Sequence, residues 1–140
     1  MQRIYLGSNV FIALIRQDMG KPFKLMFQQV EDFLNDCPEK YIVVLSDITL
    51  QEIEKVVHYS KDLTLESFKE LEIETEILKI ENRDTEKASE LRKKGMHKAD
   101  ALHATLAINS KCDVLLTFNK KHFELVQHLI EIKEPGELIY

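Results

Sequence analysis

Three oxygen-bearing side chains, Glu52, Asp100 and Asn119, stand where apolar stretches begin or end, and a fourth such junction carries no side chain at all. Glu52 follows the run YIVVLS, Asp100 opens the run ALHATLAI, and Asn119 directly follows DVLLTF. At the fourth junction, RIYL meets Gly7-Ser8-Asn9 before the apolar stretch VFIALI. If Glu52, Asp100 and Asn119 meet at one end of a fold, their oxygens suit a hard divalent cation such as Mg²⁺ or Mn²⁺.

Each residue also has a local reading. Glu52 lies three residues after Thr49, the spacing of a capping box. Asp100 near a helix start is favoured by the dipole and the free N–H groups there, and Asn119 is a preferred N-cap. His103 shares a helix face with Asp100, but too few soft ligands lie nearby for zinc, and a satisfied, half-buried histidine is expected. His58 and His128 read as surface residues. Cys37 and Cys112 form no C-x-x-C pair and read as buried free thiols. The chain has no G-x-G-x-x-G after its first strand, no G-x-x-x-x-G-K-[ST] and no G-x-S-x-G, so dinucleotide, nucleoside-triphosphate and α/β-hydrolase sites lack their signatures.

The elements that must position these groups follow from periodicity. RIYLG, YIVVLS, TEILKI and DVLLTF read as strands, and the tail LIEIKEPGELIY adds one at the edge. Between them, VFIALIRQD reads as a helix ended by Gly20, and KPFKLMFQQVEDFLNDC as one opened by Pro22, with Phe23, Met26, Phe27, Val30, Phe33 and Leu34 on its apolar face. ITLQEIEKVVHYS, LTLESFKELEI, TEKASELRKKG, HKADALHATLAINSKC and the short NKKHFELV complete the helices. Strands alternating with helices predict a three-layer α/β/α sandwich around a mostly parallel sheet of four or five strands, with ligands bound beyond the carboxyl ends of the strands.

A chain of 140 residues supports a single domain over 1–140. The longest apolar-rich stretch, Ile4 to Ile15, is too short to span a bilayer. The N-terminus lacks a basic segment with a small-residue cleavage site, so a cytoplasmic location is expected. A net charge of −5 argues against a general nucleic-acid-coating protein. Charge is nonetheless uneven: Arg92, Lys93, Lys94, His97 and Lys98 precede Asp100, and Lys120, Lys121 and His122 follow Asn119, whereas ESFKELEIETEI is acidic. The basic residues suit phosphates at the rim of a carboxylate site, or are solvated helix ends.

Taken together, these stretches resemble one family. IYLGSNVFIALI resembles the opening of PIN-domain proteins, in which a strand runs into Asp-[ST]-Asn. SDITLQEIEKV resembles their second motif with Glu52 as its acid, KADALHATLAI the third with Asp100, and DVLLTFNKKHF the closing motif with Asn119. The resemblance covers nearly the whole chain and implies a PIN-like fold, a Mg²⁺- or Mn²⁺-dependent endoribonuclease, and a VapC-type toxin with an RNA substrate, an antitoxin and a homodimeric state. It makes Glu52 and Asp100 metal ligands, Asn119 a site residue, and Ser8 and Asn9 supports; with an RNA substrate, the charge placement makes Arg92, Lys93, Lys94, Lys98, Lys120 and Lys121 its candidate contacts. Gly7 departs from the pattern, since the family places aspartate there. Metal binding and catalysis are therefore expected to be strongly attenuated, and a non-catalytic module binding RNA or protein is the alternative.

Overall fold

The computed structural model describes residues 1–18 and 25–139. Five strands, β1 (Gln2–Leu6), β2 (Tyr41–Ser46), β3 (Glu74–Leu78), β4 (Val114–Leu116) and β5 (Glu131–Lys133), form one sheet in the order β3-β2-β1-β4-β5. Every pairing is parallel. Seven helices are described, α1 (Ser8–Arg16), α2 (Met26–Asp36), α3 (Asp47–Val57), α4 (Lys61–Glu70), α5 (Asn82–Lys93), α6 (Lys98–Asn109) and α7 (Pro135–Ile139), with a 3-10 segment at Lys120–Val126.

The strands look uniformly apolar because both sheet faces are covered. Ile4, Leu6, Val43, Leu45, Val114 and Leu116 point to one core, which α1 to α4 complete with Val10, Phe11, Phe33, Ile53 and Phe68. Their alternating neighbours Tyr5, Val44 and Leu115 point to the other, closed by Ala88, Leu91, Ala101, Ala104 and Ala107 of α5 and α6. Small alanines let α6 lie close against the sheet. The result is the three-layer α/β/α sandwich, with an all-parallel five-stranded sheet.

Several boundaries differ from the sequence expectation. α1 ends at Arg16, before Gly20, because Gln17 takes a left-handed cap conformation (φ 55°) and its N–H bonds back to Leu14. Gly20, Pro22 and Phe23 lie outside the described residues. β4 is shorter than DVLLTF, since Thr117 leaves the β1 ladder. The expected helix at NKKHFELV is 3-10, and the tail supplies α7 as well as β5, with Pro135 at the first helical position.

The chain steps from β1 to β2 and β3 on one side, then returns to place β4 and β5 on the other. This reversal opens a crevice at the carboxyl ends of β1 and β4. Among the described residues, no helix is long and apolar enough to cross a membrane.

Candidate active site

The crevice is a 280 Å³ cleft lined by Gly7, Ser8, Asn9, Glu52, Asp100, His103, Thr117, Asn119 and His122, with Tyr5, Leu115 and Phe123 beneath. Glu52, Asp100 and Asn119 thus share one cleft with Gly7-Ser8-Asn9. Each arrives from a different element: Glu52 from α3, Asp100 from the first turn of α6, and Asn119 from the turn after β4.

Glu52 reaches the cleft because α3 starts earlier than a Thr49 cap would allow. The N-cap is Ser46, whose Oγ accepts the Thr49 N–H at 3.2 Å. Thr49 is fully buried in the first turn, and the capping-box reading of Glu52 falls. Glu52 instead bonds His103, with Oε1 2.7 Å from Nε2, and receives a further bond from the Ser8 hydroxyl.

Behind His103 a buried chain of polar groups runs to the sheet. Thr49 Oγ1 donates to the Leu6 carbonyl at 3.3 Å, so the Ser46 hydroxyl donates to Thr49 Oγ1 at 3.1 Å. With its proton committed, Ser46 accepts from the Tyr5 hydroxyl at 2.8 Å. Tyr5 in turn accepts from His103 Nδ1–H at 2.7 Å. Nδ1 is therefore the donor to Tyr5, and Nε2 is left facing the Glu52 carboxylate. Burial pushes the Tyr5 phenol well above its ordinary value, which keeps it neutral as a donor to Ser46. Burial also pushes Glu52 upward, but the His103 hydrogen bond and charge, with the Ser8 bond, outweigh it and hold the carboxyl below its ordinary 4.5.

That lowered value has a sign. The unfolded chain restores the ordinary carboxyl, so the pair adds stability above pH 4.5 and loses it as pH falls through the folded value. Glu52→Gln is expected to flatten the acid limb of the melting temperature against pH, measured by circular dichroism. An unchanged acid limb would mean that Glu52 and His103 are not paired in solution.

Asp100 faces a second histidine, with Oδ2 3.4 Å from His122 Nδ1. Asn119 takes the N-cap position of the 3-10 segment, as its sequence place suggests, but its side chain bonds no helical N–H; its own N–H bonds Thr117 Oγ1 at 3.0 Å. Asn9 is a clamp: its Nδ2 donates to Thr117 Oγ1 and its Oδ1 accepts the Phe118 N–H, both at 3.0 Å. The first turn of α1 is thereby tied to the end of β4.

Gly7 sits inside this clamp. Its backbone (φ −68°, ψ 143°) is extended, so no conformational freedom is needed. Space is what is lacking. A Cβ there would lie 2.8 Å from the Leu116 carbonyl oxygen, which already accepts the Gly7 N–H at 2.9 Å. A backbone oxygen closes the direction a side chain at position 7 would take. Among the described residues, no three Asp, Glu, His or Cys side chains are placed to hold a metal ion. The charged donors in the cleft are two carboxylates, each already beside a histidine, and Gly7 adds no third.

The basic residues divide. Arg92, Lys93, His97 and Lys98 line a separate 410 Å³ cleft with Ser89 and Met96. Lys120 is paired with Glu137 at 2.8 Å, while Lys94 caps the end of α5 and Lys121 is exposed, neither of them lining a cleft described above. Sequence reasoning passed over Tyr5 and Thr117 and read His103 as merely satisfied. A tyrosine alternating with Ile4 and Leu6 was the available signal, since period two points it at α6.

The sequence matches the PIN domain family over residues 4–129. No curated protein sequence matches it. Among solved structures, the chain is similar to VapBC2 from Rickettsia felis, bound to a DNA fragment from their promoter (24% identity, 95% of this chain and 98% of that one, TM-score 0.61). It is similar to a toxin-antitoxin complex from Klebsiella pneumoniae (20%, 94% and 97%, 0.65) and to VapBC-1 from nontypeable Haemophilus influenzae (18%, 96% and 98%, 0.63). At these identities the likeness is one of fold. The family match spans most of the sheet and every residue of the cleft, and this chain belongs to the PIN domain family.

Proposed function

We propose that this single domain is a VapC-like endoribonuclease, the toxin of a toxin-antitoxin pair, whose Mg²⁺- or Mn²⁺-dependent cleavage is attenuated by Gly7. One observation carries the reading: Glu52, Asp100 and Asn119 line the same cleft as Ser8 and Asn9, at the switch point of a PIN-domain sheet. RNA is the substrate, an antitoxin and a second copy of the chain are its partners, and the cytoplasm is its compartment. Glu52, Asp100 and Asn119 face the scissile phosphate, Ser8 and Asn9 hold the cleft's walls, and Arg92, Lys93, Lys94, Lys98, Lys120 and Lys121 supply phosphate contacts.

Nuclease activity is a general property of the family, and a divalent metal supplies its water-activating and charge-stabilising chemistry. This donor set falls short of that metal, so what the residues themselves do is bind and orient. His103 fixes the Glu52 carboxylate, the Tyr5 chain fixes His103, and the Asn9 clamp fixes the turn that presents Asn119. Both carboxylates have a histidine beside them, so a ring nitrogen helps to position each one.

The Leu116 carbonyl over Gly7 favours a second reading, a non-catalytic PIN module that binds RNA or protein, because the seam has closed around glycine. One assay separates them: a structured RNA pool incubated with the chain and with Asp100→Asn, with and without Mn²⁺. Slow Mn²⁺-dependent cutting that Asp100→Asn abolishes is the result expected of an attenuated enzyme. Retention of RNA without cutting by either protein would replace the nuclease reading with the binding module.

A further inference from the structure

We propose that the outer edge of β3 is a docking site for an extended segment of a partner protein, which adds to the sheet as a further strand and alternates apolar with positively charged side chains. This edge lies away from the carboxylate cleft, and the groove beside it shares no residue with that cleft.

The backbone of the edge is free to take a strand. β3 pairs with β2 along its whole length, from Glu74 to Leu78, and among the described residues its backbone bonds nothing on the other side. A row of unmet N–H and C=O groups is a template on which an extended chain can add. The opposite edge, β5, is blunted by its length of 3 residues.

The pleat sets what an added strand must carry. Thr75 and Ile77 follow Val43 and Leu45 onto the sheet face covered by α1 to α4, whereas Glu74 and Glu76 follow Ile42 and Val44 onto the other. On the first face the edge opens into a 500 Å³ groove against α4, with Leu65, Ile73 and Ile77 as its apolar lining. Apolar exposure is concentrated here: of the eight large hydrophobic side chains exposed among the described residues, Leu71, Ile77 and Ile80 fall within residues 71–80. Contiguous exposed apolar surface of this kind marks a contact site. On the second face Glu74 is exposed, and Glu76 is held at 2.8 Å by Arg3 while remaining partly open. Glu72 stands with Glu74 at the groove.

Charge selects the occupant. From Glu66 to Glu76 the chain sets Glu66, Glu70, Glu72, Glu74 and Glu76 against one cation, Lys69, whereas the whole chain has 24 acids to 19 Lys and Arg. Phosphates of a nucleic acid are repelled by such a surface. A second copy of the chain is disfavoured too: a twofold antiparallel pairing centred on Thr75 sets Glu74 against Glu76, and one centred on Glu76 sets that residue against itself. A basic segment meets the opposite situation. Its apolar side chains enter the groove on the α4 face, and its Lys or Arg residues, alternating with them, lie across from Glu74 and Glu76. Protective charge alone would explain the glutamates but not the exposed isoleucines between and beyond them.

The test is fluorescence anisotropy of the full chain with a labelled peptide of about seven residues alternating arginine and valine, the length of a typical strand. A block peptide of the same composition, arginines first and valines after, is the control. The alternating peptide is expected to bind at least about tenfold more tightly, because only alternation satisfies both faces at once, and to slow amide hydrogen exchange across Glu74–Leu78. Glu72→Lys/Glu74→Lys is expected to weaken binding at least about tenfold, and Ile77→Asn at least about threefold. Both variants change exposed side chains, and melting curves matching the wild type exclude misfolding as the cause. Equal binding of the two peptides, or slowed exchange at the carboxylate cleft in place of β3, would reduce the contact to charge attraction and overturn the proposal. Absence of binding by the wild type would overturn it as well. A dimer in sedimentation that Ile77→Asn dissociates would assign the edge to a second copy instead.

Discussion

Gly7→Asp is expected to gain metal-stimulated RNA cleavage by two or more orders of magnitude and to be less stable than the parent without metal. The gain follows from restoring a charged oxygen donor to a cleft that holds only Glu52 and Asp100. A few kcal/mol of transition-state stabilisation is enough, since roughly 1.4 kcal/mol is tenfold in rate. The loss has two separable parts. Any Cβ at position 7 must push the Leu116 carbonyl back from 2.8 Å, and overpacking of this kind costs about 1–3 kcal/mol. Aspartate adds a third carboxylate to the cleft, and clustered carboxylates repel one another at neutral pH. Gly7→Ala carries the first cost alone. In a domain of this size each kcal/mol is worth roughly 3 °C, so Gly7→Ala is expected to melt about 3–9 °C below the parent and Gly7→Asp lower still. Added Mn²⁺ is expected to recover stability for Gly7→Asp and for neither of the others. Melting curves with and without Mn²⁺, run beside the RNA assay, decide it. An Ala variant as stable as the parent would show that the seam opens freely, and an inactive, metal-blind Asp variant would show that more than one ligand is missing.

Tyr5→Phe, which removes one buried hydroxyl and almost no volume, is expected to cost about 1–3 kcal/mol, a drop of roughly 3–9 °C. The loss is large because His103 Nδ1–H, only 6% exposed with its residue, has no other acceptor among the described residues. Networks of this kind are cooperative, so the effect should extend to Glu52. A double-mutant cycle of Tyr5→Phe with Glu52→Gln is expected to show coupling of at least about 0.5 kcal/mol, although the two side chains do not touch. Additive losses would mean that the chain from Thr49 to Glu52 is a row of independent contacts.

What the sequence made legible was whatever depends on local period and junction. Alternation in RIYL and YIVVLS, with Gly7, Ser46 and Asn119 at strand ends, is enough to place one cleft and to name the acids near it. Long-range partners were not legible. Tyr5 and His103 are separated by 98 residues, and only the sheet order brings them within 2.7 Å. The cap of α3 was misplaced because Ser46 and Thr49, and Thr49 and Glu52, share the same three-residue spacing; burial of Thr49 against Leu6 decides between them. Gly7 was visible as an omission, but the carbonyl that fills its place comes from β4 and leaves no local trace. The helix at Pro135 had a signal, a proline opening a short apolar turn, which the adjacent strand pattern masked.

The strand that opens the chain is the one at the centre of the sheet, and this has a consequence for how the molecule is made. On one side β1 can pair with β2 as soon as Tyr41–Ser46 exist, but its other edge must await β4. Arg3 N–H meets the Asp113 carboxylate across 110 residues of chain. Closing so long a loop costs entropy before any contact repays it, so the β1–β4 seam belongs late on the folding route. Until then a growing chain carries a bare strand edge at Ile4–Leu6, a surface that neighbouring nascent chains can add to. The Asn9 clamp and the cleft are therefore the last parts to assemble, and no partially synthesised chain can bring Gly7, Glu52, Asp100 and Asn119 together before residue 119 has emerged.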